Sequence, residues 1–310
     1  MVPNYESMLE AVYTAALRNG DVAIDVGAHL GRHTLPMARA VGARGKVYAY
    51  EPVPSIYSNL MQAVETAREF DRNLAEVIVC NLALGELEGS AQFIYTPDFP
   101  EYSGFRERLY HLDNVRKETI NVQVTCLDSM REQIGQVRFI KIDAEGGELT
   151  ILKGARALIT DSLPMISFEM GNAALVNYPY AAADYYDFFA GIGYKVFSIF
   201  GIKLTRSEFV MAAESQLYWD YVAIPEREWP FNHISIRILM SQIHGELNRQ
   251  AEDAKEQVAM LNRQAEDAKE QVAMLNRQAE DAKAQVAALL KSKSWRITKP
   301  LRWLSGMIKR

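Results

Sequence analysis

Between residues 22 and 191, short runs of β-branched and apolar residues alternate with stretches of helical periodicity, and few folds accommodate that rhythm. Val22–Val26 is followed by a helical pattern over 32–41, Val47–Tyr50 by one over 54–69, Phe139–Ile142 by one over 147–159 and Met165–Phe168 by one over 181–191, with Val77–Cys80 as a further run. Runs that are apolar on both faces need cover from both sides, and the intervening helices supply it. The pattern therefore predicts an α/β fold built on a doubly wound parallel sheet. A helix leads in: Met8, Leu9, Val12, Tyr13, Ala16 and Leu17 recur at helical spacing, and Asn19-Gly20 supplies the stop.

Two stretches break the rhythm. Residues 91–95 and 119–125 alternate with period two and bracket a segment containing Pro97, Pro100, Tyr102, Phe105 and Tyr110. This reads as an antiparallel β-excursion with a long loop suited to a substrate lid. Lys195–Phe200 and Gln216–Ile224 read as two closing strands, and the domain is placed at residues 1–230.

Beyond a linker at 231–246, the segment 247–290 repeats itself. Leu-Asn-Arg-Gln-Ala-Glu-Asp-Ala-Lys-Glu-Gln-Val-Ala-Met stands at 247–260 and 261–274, and in near copy at 275–288, a period of two heptads. Leu247, Ala254, Leu261, Ala268, Leu275, Ala282 and Leu289 fall at d, while Ala251, Val258, Ala265, Val272, Ala279 and Val286 fall at a. That strict heptad seam implies a long C-terminal helix in a left-handed coiled coil, and hence a homo-oligomer. A solvated single helix held by pairs such as Arg249 with Asp253 is the competing reading, because alanine fills half the seam.

Charge separates the ends of the chain. Residues 1–245 carry 21 lysines and arginines against 30 acids, whereas residues 291–310 carry seven and none, interleaved with Trp295, Ile297, Trp303, Leu304 and Ile308. Basic heads beside indole rings suit an anionic membrane surface or a protein partner, and the acidic body disfavours nucleic acid. Cys80 and Cys126 are the only cysteines, too few for a disulfide framework or a cysteine metal site, which fits a reducing cytoplasm. No basic-then-apolar leader opens the sequence, and no apolar run approaches the roughly 20 residues of a bilayer span. The expectation is a cytoplasmic protein, peripheral at most on the inner face of the cell membrane.

The chemistry gathers at strand ends. Asp25-Val26-Gly27-Ala28-His29-Leu30-Gly31 closes the first strand in a glycine turn and opens a helix holding Thr34. Such a turn offers backbone N–H groups and a positive dipole end to an anionic group. Glycines spaced G-x-x-x-G, with a carboxylate two residues before the first, disfavour the pyrophosphate of a nicotinamide or flavin. S-adenosylmethionine, which carries an ammonium, a carboxylate and a sulfonium, suits that mixture better. Glu51, before Pro52 at the end of the second strand, is placed to accept both ribose hydroxyls, and Asn81 and Leu82 to reach the adenine edge.

The fourth run ends in Lys141-Ile142-Asp143-Ala144-Glu145-Gly146-Gly147-Glu148 and the fifth in Glu169. Alternation puts Lys141 and Asp143 on one side, and Asp143, Glu145 and Glu148 crowd the edge where open α/β sheets place ligands. Glu148 also complements the dipole of the following helix. Acids so placed are capable of holding a divalent cation; no metal is assigned. His33 and His111 are isolated histidines, read as structural or surface groups.

Taken together, Asp25-Val26-Gly27-Ala28, Glu51-Pro52, Asn81 with Ala83 and Gly85, Val124-Thr125-Cys126-Leu127-Asp128, Lys141-Ile142-Asp143-Ala144-Glu145-Gly146 with Glu148 and Gly154, and Phe168-Glu169 form a specific set. Over residues 20–225 the set resembles the FkbM family of S-adenosylmethionine-dependent methyltransferases; His29 stands where asparagine is common in that family. The resemblance implies a Rossmann-like class I methyltransferase fold and O-methyl transfer to a hydroxyl, typically of a sugar in a bacterial surface polysaccharide or glycolipid, or of another small molecule. Asp143 or Glu169, raised in pKa by their proximity, is the expected general base, and Glu145 the residue that orients the acceptor. The cofactor candidates are Asp25, Gly27, Ala28, His29, Gly31, Thr34, Glu51, Asn81, Leu82 and Asp143. The alternative is a non-catalytic scaffold of a polysaccharide-assembly complex that uses the coil and tail. Residues 294–302, Ser-Trp-Arg-Ile-Thr-Lys-Pro-Leu-Arg, are similar to the endings of some bacterial polysaccharide glycosyltransferases, which implies contact with such machinery.

Overall fold

The structure is a computed structural model that describes residues 5–110, 114–226, 260, 263, 265, 266, 268–289 and 291. The chain divides into two compact units, Met1–His244 and Gly245–Arg310. In the first, the elements run α1 (Tyr5–Ala16), β1 (Val22–Val26), α2 (Thr34–Val41), β2 (Lys46–Tyr50), α3 (Pro54–Phe70), β3 (Glu76–Cys80), β4 (Ala83–Leu84), β5 (Gly89–Tyr95) and β6 (Glu118–Thr125). They continue with α4 (Arg131–Ile134), β7 (Phe139–Ile142), α5 (Glu148–Lys153), α6 (Arg156–Ser162), β8 (Met165–Glu169), α7 (Asn172–Leu175), α8 (Ala182–Gly191), β9 (Tyr194–Ser198), α9 (Arg206–Glu214) and β10 (Asp220–Pro225).

Seven strands form the main sheet in the order β3-β2-β1-β7-β8-β10-β9, and β4-β6-β5 form a small second sheet that carries the excursion. The main sheet is the expected α/β core, with Ile24, Ile140, Ile142, Ile166 and Phe168 buried within it. It is not wholly parallel, as the apolar runs alone suggested: β10 runs antiparallel to both β8 and β9. From β1 the chain winds outward through β2 and β3, and from β7 outward through β8. The strand order therefore reverses between β1 and β7, and open α/β sheets bind ligands at that crevice.

Two further differences have local causes. The helix expected over 147–159 is two helices. A Cβ on Gly154 would lie 2.0 Å from the Gly85 carbonyl oxygen, so the chain passes β4 only at a glycine. Asp128 then starts the second helix by accepting hydrogen bonds from the N–H groups of Ala157 and Leu158 at 3.0 and 2.8 Å. Where a strand was expected from residue 216, α9 comes first, capped by Thr205 and Glu208 in a reciprocal box, and β10 starts only at Asp220. In the second unit, residues 268–289 are helical and exposed throughout, with Lys269–Glu266 and Lys283–Glu280 pairs at 2.7 Å. The linker at 231–246, the first repeat apart from Met260, and all of the basic tail except Lys291 lie outside the described residues, as does His111. Among the described residues, no helix is long and apolar enough to cross a membrane.

Candidate active site

At the end of β1 the chain turns through Gly27, whose φ is +74°. A Cβ there would sit 1.8 Å from the Asp143 carbonyl oxygen, so glycine alone lets the tips of β1 and β7 approach this closely. The N–H groups of Gly27 and Ala28 both donate to the Tyr50 carbonyl, at 3.1 and 3.0 Å, and that of Gly31 donates to Ala28. His29 N–H donates to Glu51 Oε2 at 3.0 Å, and Val53 N–H to Oε1 at 2.9 Å. The turn's own backbone and β2 thus use the donors of Gly27, Ala28, His29 and Gly31. Its role is to shape the approach and to fix Glu51, each of whose carboxylate oxygens retains a further lone pair.

A cavity of about 370 Å³ opens at this edge. It extends to both sides of the β1 tip, meeting Glu51, Val53 and Leu82 on the β2 side and Lys141, Asp143 and Glu145 on the β7 side, with Phe93 and Phe105 of the excursion also in its wall. Gly27, Ala28 and His29 also line it, whereas Asp25, Gly31, Thr34, Asn81 and Glu169 do not. Asp25 is wholly buried and accepts from Thr34 Oγ1 at 2.6 Å. Asn81 donates its amide to the carbonyls of Glu51 and Pro52 at 2.9 and 3.0 Å, bracing the tip of β2. The register pairs Asp25 with Lys141 and Lys141 with Ser167, and one row further on pairs Glu169 with Asp220. Glu169 is also hydrogen-bonded to Asp143. A polar double row thus crosses β1, β7, β8 and β10 beneath the cavity.

The family model for the methyltransferase FkbM domain matches residues 25–196. The chain belongs to the FkbM methyltransferase family. No curated protein sequence matches it. Among solved structures it is similar to an FkbM methyltransferase from Methylobacillus flagellatus, at 15% identity and a TM-score of 0.42, over 72% of this chain and 56% of that one. It is also similar to the O-methyltransferase TomG of Streptomyces achromogenes, solved with S-adenosylmethionine, at 11% identity and a TM-score of 0.39, over 73% and 81%. An O-methyltransferase of Bacillus cereus, in complex with S-adenosylhomocysteine, shares 14% identity over 73% and 82%, with a TM-score of 0.38.

In this FkbM domain the acids of the β7 edge are not equivalent. Lys141 is buried, with Nζ 3.1 Å from Asp143 Oδ2 and 3.7 Å from Asp25 Oδ1. Burial works against its charge, but the two carboxylates outweigh burial and hold the ammonium above its ordinary range. Burial likewise works to raise Asp143, yet Lys141 and the hydrogen bond with Glu169 prevail and bring it down to about 2. The expectation of an Asp143 raised by Glu169 is therefore corrected, since a buried lysine had been left out of the balance. Glu169 is raised well above the carboxylate range, by burial and then by Asp143. Burial also pushes Asp220 up to about 7, and Glu51 up to about 7 against its two N–H donors.

Glu148 turns away from the crowd. It accepts from the N–H groups of Ala144 and Gly146 at 2.9 and 3.0 Å and closes its own loop. Glu145 pairs with Arg108 of the excursion, whose guanidinium lies 4.2 Å above the Tyr102 ring, so the long loop of the excursion is clipped to the β7 loop. Among the described residues, no group of three or more His, Cys, Asp or Glu is arranged to hold a metal ion. The sequence reading missed three contributors: Arg108, Asp220, and Glu6 of α1, which reaches the cavity beside His33. Alternation places Lys141 beside Asp143, but its effect on that carboxylate is not legible in the sequence.

Proposed function

We propose that this FkbM-family chain is an S-adenosylmethionine-dependent O-methyltransferase acting on a hydroxyl of a sugar in a surface polysaccharide or glycolipid. The observation that carries the reading is Glu51: a buried carboxylate with both oxygens anchored, facing a cavity that continues past the β1 tip to Lys141 and Asp143. The residues fit the donor. The Gly27 approach admits no Cβ, Glu51 has lone pairs for two ribose hydroxyls, and Leu82 offers an apolar wall to the adenine. Bound there, S-adenosylmethionine would supply its methyl group as a sulfonium electrophile. The chain's own task is alignment, placing the acceptor oxygen in line at about 3 Å. Asp143, kept ionised by Lys141, lies on the acceptor side of the cavity, and Glu145 holds the loop that covers it.

Incubating the protein with methyl-labelled donor and a membrane glycolipid extract, then locating the label by mass spectrometry, tests this reading; a wholly unlabelled extract would refute it. Glu51→Gln is expected to weaken binding of S-adenosylhomocysteine by roughly 10- to 100-fold in calorimetric titration. The sign of the pH effect follows from ionisation. Because burial holds Glu51 at about 7 and ribose hydroxyls favour the carboxylate, wild-type affinity should rise as the pH climbs through that value. The variant should lose that dependence.

For the second unit we propose a homo-oligomeric coil whose basic tail docks at the inner face of the cell membrane beside glycan-assembly machinery. Val272, Leu275, Val286 and Leu289 occupy seam positions and are exposed on the isolated helix. A continuous helix over 247–289 would reach roughly 65 Å. Truncation after residue 245 should yield a monomer in sedimentation and abolish flotation with anionic vesicles. An unchanged mass, or unchanged flotation, would remove the corresponding half of this reading.

A further inference from the structure

Each of the acids at the strand tips is already engaged by a neighbour. Asp143 is bonded to Lys141 and Glu169, and Glu145 to Arg108. Glu169 and Asp220 are raised by desolvation and by the neighbouring Asp143 carboxylate. Glu101 reaches the cavity from the lid, but no hydrogen bond or ion pair fixes its carboxylate among the described residues.

Glu6 is exposed and its Oε2 lies 4.0 Å from Arg32 Nε, but it comes to the cavity from a separate element, α1. The first turn of α1 lays it in the wall of the cavity, with Oε2 2.6 Å from His33 Nε2 and Oε1 open. His33 is itself buried, and its Nδ1 lies 3.2 Å from the Tyr13 hydroxyl, with the two rings edge to face at 5.7 Å. Tyr13, His33 and Glu6 thus form a line from the core to the cavity. The ring of Tyr5, one residue earlier, packs against Phe200 at 6.2 Å and holds this turn across the edge of the sheet.

We propose that Glu6 is the proton acceptor of the methyl transfer and that His33 is its positioning residue. The proposal rests on the O-methyl transfer reading above. As the bond from acceptor oxygen to methyl carbon forms, the sulfur–methyl bond breaks and leaves its electron pair on sulfur. The hydroxyl proton passes to Glu6 Oε1, so the sulfonium and carboxylate charges disappear together. The groups that face Glu6 are His33 and Arg32, ahead of α2, with Lys141 and Asp143 of the β7 edge and Asp220 of β10. The hydrogen bond from His33 holds Glu6 below the ordinary carboxylate range, against burial.

The test uses the full chain, methyl-labelled donor and the glycolipid extract. Glu6→Gln should lower the transfer rate by roughly 10²- to 10⁴-fold. It should leave the calorimetric affinity for S-adenosylhomocysteine unchanged, and Glu6→Asp should restore part of the rate. His33→Asn removes the bond that lowers Glu6, so the acid limb of kcat/KM should move to higher pH, a displacement that a purely structural role would not produce. Wild-type transfer rates in Glu6→Gln, or an unmoved acid limb in a folded His33→Asn, would overturn the proposal and leave methyl transfer standing. No transfer by the wild type would overturn both.

Discussion

Replacing Lys141 by methionine is expected to destabilise the domain by about 3–5 kcal/mol, because it strips a close cation from Asp25 and Asp143. Most of that loss belongs to Asp25, which is wholly buried and has one oxygen with no hydrogen-bond donor of its own. The Asp143 side chain is 38% exposed, and solvent screening reduces its share. The pH dependence has a definite sign. With its folded value lowered to about 2, Asp143 contributes stability that is complete above the unfolded carboxyl range and is lost as the pH falls toward 2. The deficit of the variant should therefore be largest near neutrality and shrink on acidification. Urea denaturation of both proteins at neutral and mildly acidic pH checks this, and a deficit independent of pH would contradict the assigned charge state.

Gly27→Ala should be nearly as damaging, for a different reason. The residue sits at φ +74° and its new Cβ would occupy the space of the Asp143 carbonyl. A left-handed penalty plus forced separation of β1 from β7 amounts to about 2–5 kcal/mol, and binding of S-adenosylhomocysteine should be lost as well. Gly135→Ala is the control. It has φ +77° but nothing within 4 Å of an added Cβ, so only the backbone penalty of about 1–2 kcal/mol applies. Thermal melts of the two variants separate strain from steric exclusion; equal losses would show that the strand tips are free to move apart.

What the sequence made legible is what depends on local pattern. The apolar runs located β1, β2, β3, β7 and β8 to within a residue or so, and the position of Glu51 after β2 marked it as a candidate for the ribose. The reversed β10 was hidden, because strand direction is set by pairing across the sheet and not by composition. Thr205 and Glu208 carry a capping signature in plain view, yet the apolar run after residue 216 was read as a longer strand. Lys141 shows the limit for charge. Alternation places it beside Asp143, but its effect follows from burial and from Asp25, a partner 116 positions away in the chain. Glu6 is invisible in the sequence as a site residue, since only the return of α1 across the sheet edge brings it to the cavity beside His33.

The insertion of β10 between β8 and β9 also bears on how the domain emerges from the ribosome. β9 is made before β10 but pairs with no other strand of the main sheet. While the chain is still being synthesised, β9 and the outer side of β8 therefore both present unsatisfied backbone edges, and premature pairing between them would shut out the strand that brings Asp220. Residues 199–219 delay β10 and so lengthen the interval in which both edges stand unpaired.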